Sequence, residues 1–141
     1  MSLYARINTV SKENALFVKR FLEAKTGGKF DIAISTRNYL MLDFDCDENI
    51  RECYLEAIDV AKTLNEEFNK PVYMYRTRHG FHLVVFHKMS WKLVRNYLRQ
   101  FLAMINKGVL KYLDPKHIEA SLRRGYITLR LNQITLLRVI K

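Results

Sequence analysis

The sequence predicts an α+β fold built on a ferredoxin-like, or RRM-like, sheet that carries its helices on one face. Two observations predict this class. Between residues 38 and 121 the apolar patterns follow the order β-α-β-β-α-β, which specifies the split β-α-β arrangement. The 141 residues are also 49% hydrophobic and 12% aromatic, which supports a packed core and excludes disorder. We expect a single domain, with an N-terminal helix and strand over 1–37, the core over 38–121 and a C-terminal β-hairpin over 122–141.

The charge balance favours a polyanionic partner. Lysine and arginine number 24 against 14 aspartate and glutamate, so the formal net charge is +10. The basic residues are dispersed, which indicates a charged face on a folded body and favours nucleic acid or nucleotides first and anionic membrane second. The sequence shows neither an apolar run of membrane-spanning length nor the apolar block of a signal peptide, so we expect a soluble, cytoplasmic chain. Two cysteines cannot build a disulfide framework, and Cys53 is interpreted as a small apolar residue in a helix.

The N-terminal region predicts one helix and one strand. Ser11 is a suitable N-cap for a helix that runs to about Lys25, and Gly27-Gly28 ends it. Residues 29–36 then follow a strand pattern.

Two helices alternate with the strands of the core. After a strand at 38–45, Asp47 is the expected cap of a helix over about 48–68, in which apolar residues recur every three or four positions. Ser90 is the expected cap of a second helix that ends near Ile105. The other apolar runs predict strands at 72–76, 81–86 and 116–121, and a hairpin that joins 126–131 with 134–140.

The strand at 38–45 ends in two carboxylates, Asp43 and Asp45. Side chains alternate along a strand, so these two project from the same face, about 7 Å apart along the backbone. Two like charges placed side by side repel unless a cation lies between them, and oxygen ligands suit Mg²⁺ or Mn²⁺. A simpler interpretation is a solvated strand end that runs into a helix cap.

The predicted sheet order brings a third carboxylate to the same edge. The first and third strands are antiparallel neighbours and the fourth flanks the first. The end of the first strand therefore lies beside the start of the third, at Gly80 to His82, and the start of the fourth, at Asp114. Three carboxylates at this edge predict a two-metal site that clamps the attacking and leaving oxygens of a phosphoryl transfer. An aspartate before proline is equally a common start of a turn.

Basic residues near this edge suit a phosphate-bearing ligand. Arg76 and Arg78 offer guanidinium forks for phosphate oxygens, Gly80 permits a close approach of the backbone to a ligand, and His82 can donate to a phosphate. Other arginines either bind template or triphosphate or only add to the basic surface. The candidate nucleic-acid contacts are Arg76, Arg123 and Arg124, and Arg130 is a candidate nucleotide contact.

Three short motifs carry a resemblance to a known family. They are Leu42 to Asp45 (LDFD), Thr77 to His82 (TRHGFH) and Leu113-Asp114. Together they resemble the archaeo-eukaryotic primase superfamily, which includes primase small subunits, plasmid primase-polymerases and ligase-associated polymerase domains. The resemblance covers about residues 38–131. In the second motif, Thr77 stands where serine is usual.

The resemblance implies an RRM-like catalytic module with metal-dependent nucleotidyltransferase activity. Such an enzyme adds nucleotides on a DNA template, either single-stranded or primed. By this resemblance Asp43, Asp45 and Asp114 are catalytic and are the ligands of two divalent metals, Mg²⁺ or Mn²⁺.

The resemblance also implies how the nucleotide is held. His82, with help from Thr77 and Arg78, is expected to bind the triphosphate of the incoming nucleoside triphosphate, and Arg130 lies in the basic strand that follows the third motif in some members. Within these 141 residues we expect neither a zinc-binding insertion nor an accessory domain, so a protein partner that supplies template or primer contacts is a further expectation.

Two other functions stay open at this stage. A rolling-circle replication endonuclease uses a related sheet and a tyrosine nucleophile, for which Tyr97 lies on the right helix, but the spacing of His79, His82 and His87 gives no i, i+2 metal-binding pair. A non-catalytic RRM-like nucleic-acid-binding protein would stack bases on exposed aromatic residues of the central strands, where Tyr39 is the one obvious candidate on the first strand.

Overall fold

The computed structural model of the chain describes residues 3–131 and 134–141. Within these residues four helices and seven strands form the α+β fold that the sequence predicts. In chain order the elements are β1 (Leu3–Ile7), α1 (Lys12–Thr26), β2 (Phe30–Thr36), β3 (Met41–Asp45), α2 (Ile50–Phe68), β4 (Val72–Arg76), β5 (Gly80–Val85), α3 (Trp91–Asn106), α4 (Pro115–Arg124), β6 (Ile127–Arg130) and β7 (Thr135–Ile140).

The predicted ferredoxin-like core is present from β3 to α3. Its sheet has the strand order β3-β5-β4-β7, and all neighbouring strands are antiparallel. The helix α2 packs on one face, where Tyr54 contacts Phe81 edge to face and the register partner Phe44 is buried. Because side chains alternate along a strand, Asp43 and His82 lie on the opposite face.

A second sheet has the order β1-β2-β6 and contacts the first where β6 approaches β3. In it β1 runs parallel to β2, and β6 runs antiparallel to β2. The helix α1 joins β1 to β2 and packs on β2, with Ala15 fully buried. The strand β1 was not predicted, because most of its side chains are exposed and no buried alternation marks it.

The strand predicted for 116–121 is wrong, since these residues belong to the helix α4. The Asp114 carboxylate accepts a hydrogen bond from the backbone N–H of Lys116 at 2.9 Å and caps the helix. Pro115 occupies the first helical position, where its fixed φ favours a helix and its missing N–H costs nothing. On the outer side of β3 the fourth strand is reduced to one isolated bridge, between Phe44 and Leu113.

The two C-terminal strands are present but do not pair with each other as the predicted hairpin. Instead β6 pairs with β2 and β7 pairs with β4, so that each strand completes a different sheet. The buried Ile127 and Leu129 of β6 explain the choice, because they meet the buried side of β2 at Thr36 and Ile34. Residues 132–133, in the predicted turn of the hairpin, lie outside the described residues.

Two of the three predicted helix caps are correct. The hydroxyls of Ser11 and Ser90 accept from the backbone N–H groups of Asn14 and Leu93. The prediction of Asp47 as a cap is wrong: α2 begins at Ile50, and Asp47 has φ 47° in the turn before it. This left-handed conformation turns the chain sharply between β3 and α2.

The two cysteines form a disulfide between Cys46, directly after β3, and Cys53 in α2. The interpretation of Cys53 as only a small apolar residue is therefore wrong. The bond ties the segment that follows Asp45 to the helix behind the sheet.

Within residues 3–131 and 134–141, no helix is both long enough and apolar enough to cross a membrane.

The close approach of Gly80 in β5 to the backbone of Phe44 in β3 predicts that position 80 tolerates no side chain. A Cβ atom at Gly80 would lie 1.8 Å from the backbone oxygen of Phe44, so the pairing of β5 with β3 would have to open. We expect Gly80→Ala to lower the free energy of unfolding by about 3 kcal/mol in urea denaturation. The control is Gly28→Ala, whose Cβ meets only side-chain atoms, the end of Leu3 at 3.2 Å and the Thr26 hydroxyl at 3.6 Å. A similar loss for both variants would contradict the prediction.

Candidate functional site

A cleft of about 740 Å³ opens where the two sheets and α4 meet. The ends of β3 and the start of β5 supply one wall, and β6, α4 and Tyr4 of β1 supply the other. Eight of the ten site residues predicted from the sequence line this cleft. They are Asp43, Asp45, Thr77, Arg78, His82, Asp114, Arg124 and Arg130.

Asp43 and His82 are direct register partners on the neighbouring strands β3 and β5. The Nε2 atom of His82 lies 3.3 Å from Oδ1 of Asp43. The His82 residue is only 8% exposed, and its Nδ1 atom is buried without a hydrogen-bond partner among the described residues. The pair is therefore rigidly placed at the inner end of the cleft.

The environment of Asp43 keeps its carboxyl group ionised. Burial raises the pKa of Asp43, but the hydrogen bond to His82 and the charges of His82 and His117 outweigh it, so that the pKa of Asp43 lies below its ordinary value. An ionised, partly exposed carboxylate is available to a ligand at neutral pH.

Asp45 lies two residues further along β3, on the same face as Asp43 and opposite Gly80. Its side chain is exposed, and its backbone N–H donates to the carbonyl of Tyr112 at 2.9 Å. The predicted pairing of the two acids on one face of the strand end is present.

Asp114 reaches the same place by a different route from the one predicted. Its backbone N–H donates to the carbonyl of Asp43 at 2.9 Å, next to the bridge between Phe44 and Leu113. The Oδ1 atom of Asp114 caps α4, which leaves Oδ2 free of that bond. A single bridge thus brings the third carboxylate to the edge where a whole strand was expected.

Glu56 of α2 holds the segment that leads to Asp114. Its carboxylate accepts from three consecutive backbone N–H groups: from Lys111 at 2.6 Å, Tyr112 at 2.7 Å and Leu113 at 2.9 Å. These groups have no strand or helix partner of their own, so Glu56 replaces the hydrogen bonds that a regular element would provide.

The turn between β4 and β5 is built by Thr77 and Gly80. The hydroxyl of Thr77 accepts from the N–H of Gly80, and the N–H of Thr77 donates to the Gly80 carbonyl, each at 2.9 Å. At Gly80 the backbone lies close to the backbone of Phe44. This turn presents the exposed Arg78 to the cleft.

Arg76 and Arg123 do not line the cleft. The guanidinium of Arg76 donates to the Gly80 carbonyl at 2.8 Å and lies over the ring of Phe81, on the face that α2 covers. Arg76 therefore supports the turn, and Arg123 is exposed on the outer side of α4.

Tyr4, Lys116 and His117 are among the residues that line the cleft but were not predicted as site residues. Recognition of Asp114-Pro115 as a helix start would have pointed to His117, because residues three apart share a helix face. Tyr4 lies on the unpredicted strand β1, and nothing in its local sequence places it at the cleft.

His117 is fixed by a backbone contact to β6. Its Nε2 atom lies 2.8 Å from the carbonyl of Thr128, so this nitrogen carries the proton and donates. Burial lowers the pKa of His117, and the opposing effects of the Thr128 carbonyl, Asp43 and Asp114 do not restore it. The ring is therefore neutral at neutral pH, with its Nδ1 atom buried and unpartnered among the described residues.

The carboxylates fit a hard cation in chemistry but are not a preassembled cage. Within the described residues no group of three or more His, Cys, Asp or Glu side chains is arranged to hold a metal ion. Mg²⁺ commonly uses only one or two protein carboxylates and takes its other ligands from water and phosphate oxygens. Asp43, Asp45 and Asp114 supply oxygen donors of this kind.

Comparison of the chain with protein-family models, with curated proteins and with solved structures finds no match in any of the three.

The contacts of Glu56 predict that it stabilises the segment before Asp114. Glu56→Ala removes the acceptor of three N–H groups, and we expect the free energy of unfolding to fall by about 2 kcal/mol, with a smaller loss for Glu56→Gln. Hydrogen exchange of the amides of residues 111–113 should become faster. Glu66→Ala, an exposed site on the same helix, is the control, and equal unfolding energies for the Glu56→Ala and Glu66→Ala variants would refute this role.

The lowered pKa of His117 predicts a loss of stability at acidic pH. Below its ordinary pKa of 6.5 the unfolded chain binds a proton that the folded chain refuses, so the free energy of unfolding falls, by at most about 1.4 kcal/mol per pH unit. We expect the parent to lose more stability than His117→Gln between pH 7.5 and pH 5, in thermal unfolding with EDTA. Parallel pH profiles for the two proteins would contradict the assignment.

Proposed function

We propose that this chain is a metal-dependent nucleotidyltransferase of the primase-polymerase type, which adds nucleotides on a DNA template. The observation that carries the proposal is the convergence of Asp43, His82 and Asp114, three residues from distant motifs of the sequence, at one end of a single cleft. The three motifs that resemble the primase superfamily thus meet in space, which a chance resemblance of short segments would not require.

The distribution of charge in the cleft supports a phosphate-bearing substrate. Acidic side chains gather at the end of β3, whereas Arg78, Lys116, Arg124 and Arg130 lie around the rest of the cleft. A triphosphate can contact the basic side while its inner oxygens approach the carboxylates, and this arrangement is stable only with a cation between the two sets of oxygens.

The proposed metals are Mg²⁺ or Mn²⁺, of the two-metal type, with Asp43, Asp45 and Asp114 as protein ligands. When bound, they would supply neutralisation of charge and alignment of a 3′-hydroxyl against an α-phosphate. The ionised state of Asp43, which the hydrogen bond to His82 favours most, suits this role.

We assign nucleotide binding mainly to the residues around the turn between β4 and β5. His82 lines the cleft beside Asp43, and Arg78 projects from the turn that Thr77 closes. We assign His82 and Arg78 to the triphosphate directly and Thr77 to the shape of the turn. Arg130, on the opposite wall, is the further nucleotide contact.

The proposed partners are a nucleoside triphosphate and single-stranded or primed DNA, with a protein partner for template or primer contacts where the cleft alone is insufficient. The proposed location is the cytoplasm.

Two observations disfavour the alternative functions. The hydroxyl of Tyr97 donates to Glu67 at 2.9 Å outside the cleft, so it is not placed as the nucleophile of a rolling-circle endonuclease. On the open face of the core sheet, Tyr75 is buried and Tyr73 packs against Phe86, so these rings are not the free stacking platform of a non-catalytic RRM-like protein.

The decisive test removes the charge of Asp43 while its shape is kept. Asp43→Asn retains an acceptor for His82, and we expect nucleotide incorporation to fall at least about 100-fold because the carboxylate ligand is lost. The assay follows extension of a primed single-stranded template with labelled nucleotide and Mn²⁺.

Asp59→Asn, an exposed position on α2, is the matched control and should extend at the parental rate. Circular dichroism and thermal unfolding establish that both variants are folded. Nucleotide incorporation at the parental rate by the Asp43→Asn variant would contradict the assignment of Asp43 as catalytic.

A further inference from the structure

We propose that a surface beside the cleft, formed by Tyr4, Arg6, Arg124 and Tyr126, binds the backbone of a single DNA strand and guides it toward the carboxylates. We name these four residues the strand surface. The proposal deepens the proposed function, on which the identification of the strand as a template rests.

The strand surface is continuous with the cleft. Arg6 of β1 and Arg130 of β6 both pair in register with Ala33 of β2, so the three residues share one face of the second sheet. Tyr4 and Arg130 line the cleft itself, as does Arg124 of α4. An extended chain that lies across this face therefore reaches the cleft without leaving the surface.

A single aromatic ring holds two of the guanidinium groups. The guanidinium carbon of Arg6 lies 4.3 Å from the centre of the Tyr126 ring, and that of Arg124 lies 5.3 Å from it. Cation–π attraction restricts the rotamers of both arginines and leaves their N–H groups available. Because the side chains are already ordered, less conformational entropy is lost when they bind phosphates.

The positive charges of this surface lack acidic partners. The one ion pair within residues 3–131 and 134–141 joins His82 to Asp43, so Arg6, Arg124 and Arg130 have no carboxylate within 4.0 Å there. Like charges that share a face repel one another, and a polyanion removes this repulsion. The nearest acid in register, Asp31, pairs with Tyr4 and not with an arginine.

An exposed aromatic residue favours a single strand over a duplex or an acidic protein. Tyr4 is 58% exposed at the mouth of the cleft, two residues from Arg6 on the same face of β1. Stacking on such a ring requires an unpaired base, whereas the arginines contact phosphates of any sequence. The combination is typical of sites that bind single strands without sequence preference.

Binding of a fluorescently labelled single-stranded DNA oligonucleotide tests the proposal. Fluorescence anisotropy is measured with EDTA, without nucleotide, over a series of salt concentrations. We expect Arg6→Ala to weaken binding and to reduce the slope of log affinity against log salt concentration by about 0.7, the value for one phosphate contact. We expect Tyr4→Ala to weaken binding about tenfold with the slope unchanged, because it removes stacking and no charge.

The matched control is Lys62→Ala, which removes one positive charge from the exposed side of α2, on the far face of the core sheet. If Arg6→Ala and Tyr4→Ala bind the oligonucleotide as Lys62→Ala does, the proposal is overturned. Equal parental affinity for duplex and single strand, or tighter binding of an acidic polypeptide than of DNA, would overturn it as well.

Failure of this proposal and failure of the proposed function are distinguishable. Oligonucleotide binding is measured with EDTA and without nucleotide, so it does not depend on the metal ions or on the incorporation step that the proposed function requires. Binding that depends on Arg6 and Tyr4 in a parent that incorporates no nucleotide supports the strand surface and rejects only the catalytic assignment. Nucleotide incorporation by the parent, together with strand binding that is independent of Arg6 and Tyr4, supports the catalytic assignment and rejects only the strand surface.

Discussion

The antiparallel pairing of β3 with β5 is the constraint on which the candidate site depends. The register sets Asp43 opposite His82 and Asp45 opposite Gly80, so that the acids and the histidine share one face. Gly80 fixes this register, because its missing side chain makes room for the Phe44 carbonyl. A shift by one residue would move both acids into the apolar face that α2 covers, where an unpaired charge is costly.

The third carboxylate is positioned by an irregular segment, and the acidic groups themselves do the positioning. Glu56 accepts hydrogen bonds from the three backbone N–H groups that precede Asp114, and Asp114 caps the helix α4. One carboxylate oxygen of Asp114 thus caps α4, and the other, Oδ2, is the proposed metal ligand. Local hydrogen bonds of this kind satisfy the backbone where the fourth strand of the sheet is missing.

The cleft separates charges that neutralise each other only through a ligand. The carboxylates at the end of β3 would repel a phosphate, and the arginines of β6 and α4 would attract it. In the proposed function, a cation that bridges the two would give the nucleotide one orientation, with its phosphates between the acidic and the basic side chains. The strand surface extends the basic side of the cleft outward. The proposed DNA strand would contact this part of a chain whose net charge is +10.

The sequence by itself determined the order of strands and helices from β3 to α3, since the periodicity of buried residues in α2 and the alternation in β3 are local properties. It also determined that Asp43 and Asp45 share a face, because residues at i and i+2 of a strand point to the same side.

The tertiary structure decided which residues lie beside these two acids. The short apolar pattern of residues 116–121 fits a strand or a helix, and the N-cap Asp114 with Pro115 at the first helical position favours the helix. The strand β6 pairs with β2, where Ile127 is buried, and β7 pairs with β4, where Ile140 is buried. The register partners of these two isoleucines are more than 60 residues away in sequence, so local sequence does not reveal them. Tyr4, Arg6 and His117 joined the site for the same reason: local sequence sets the direction of a side chain, but only the packing of the two sheets sets what that side chain meets.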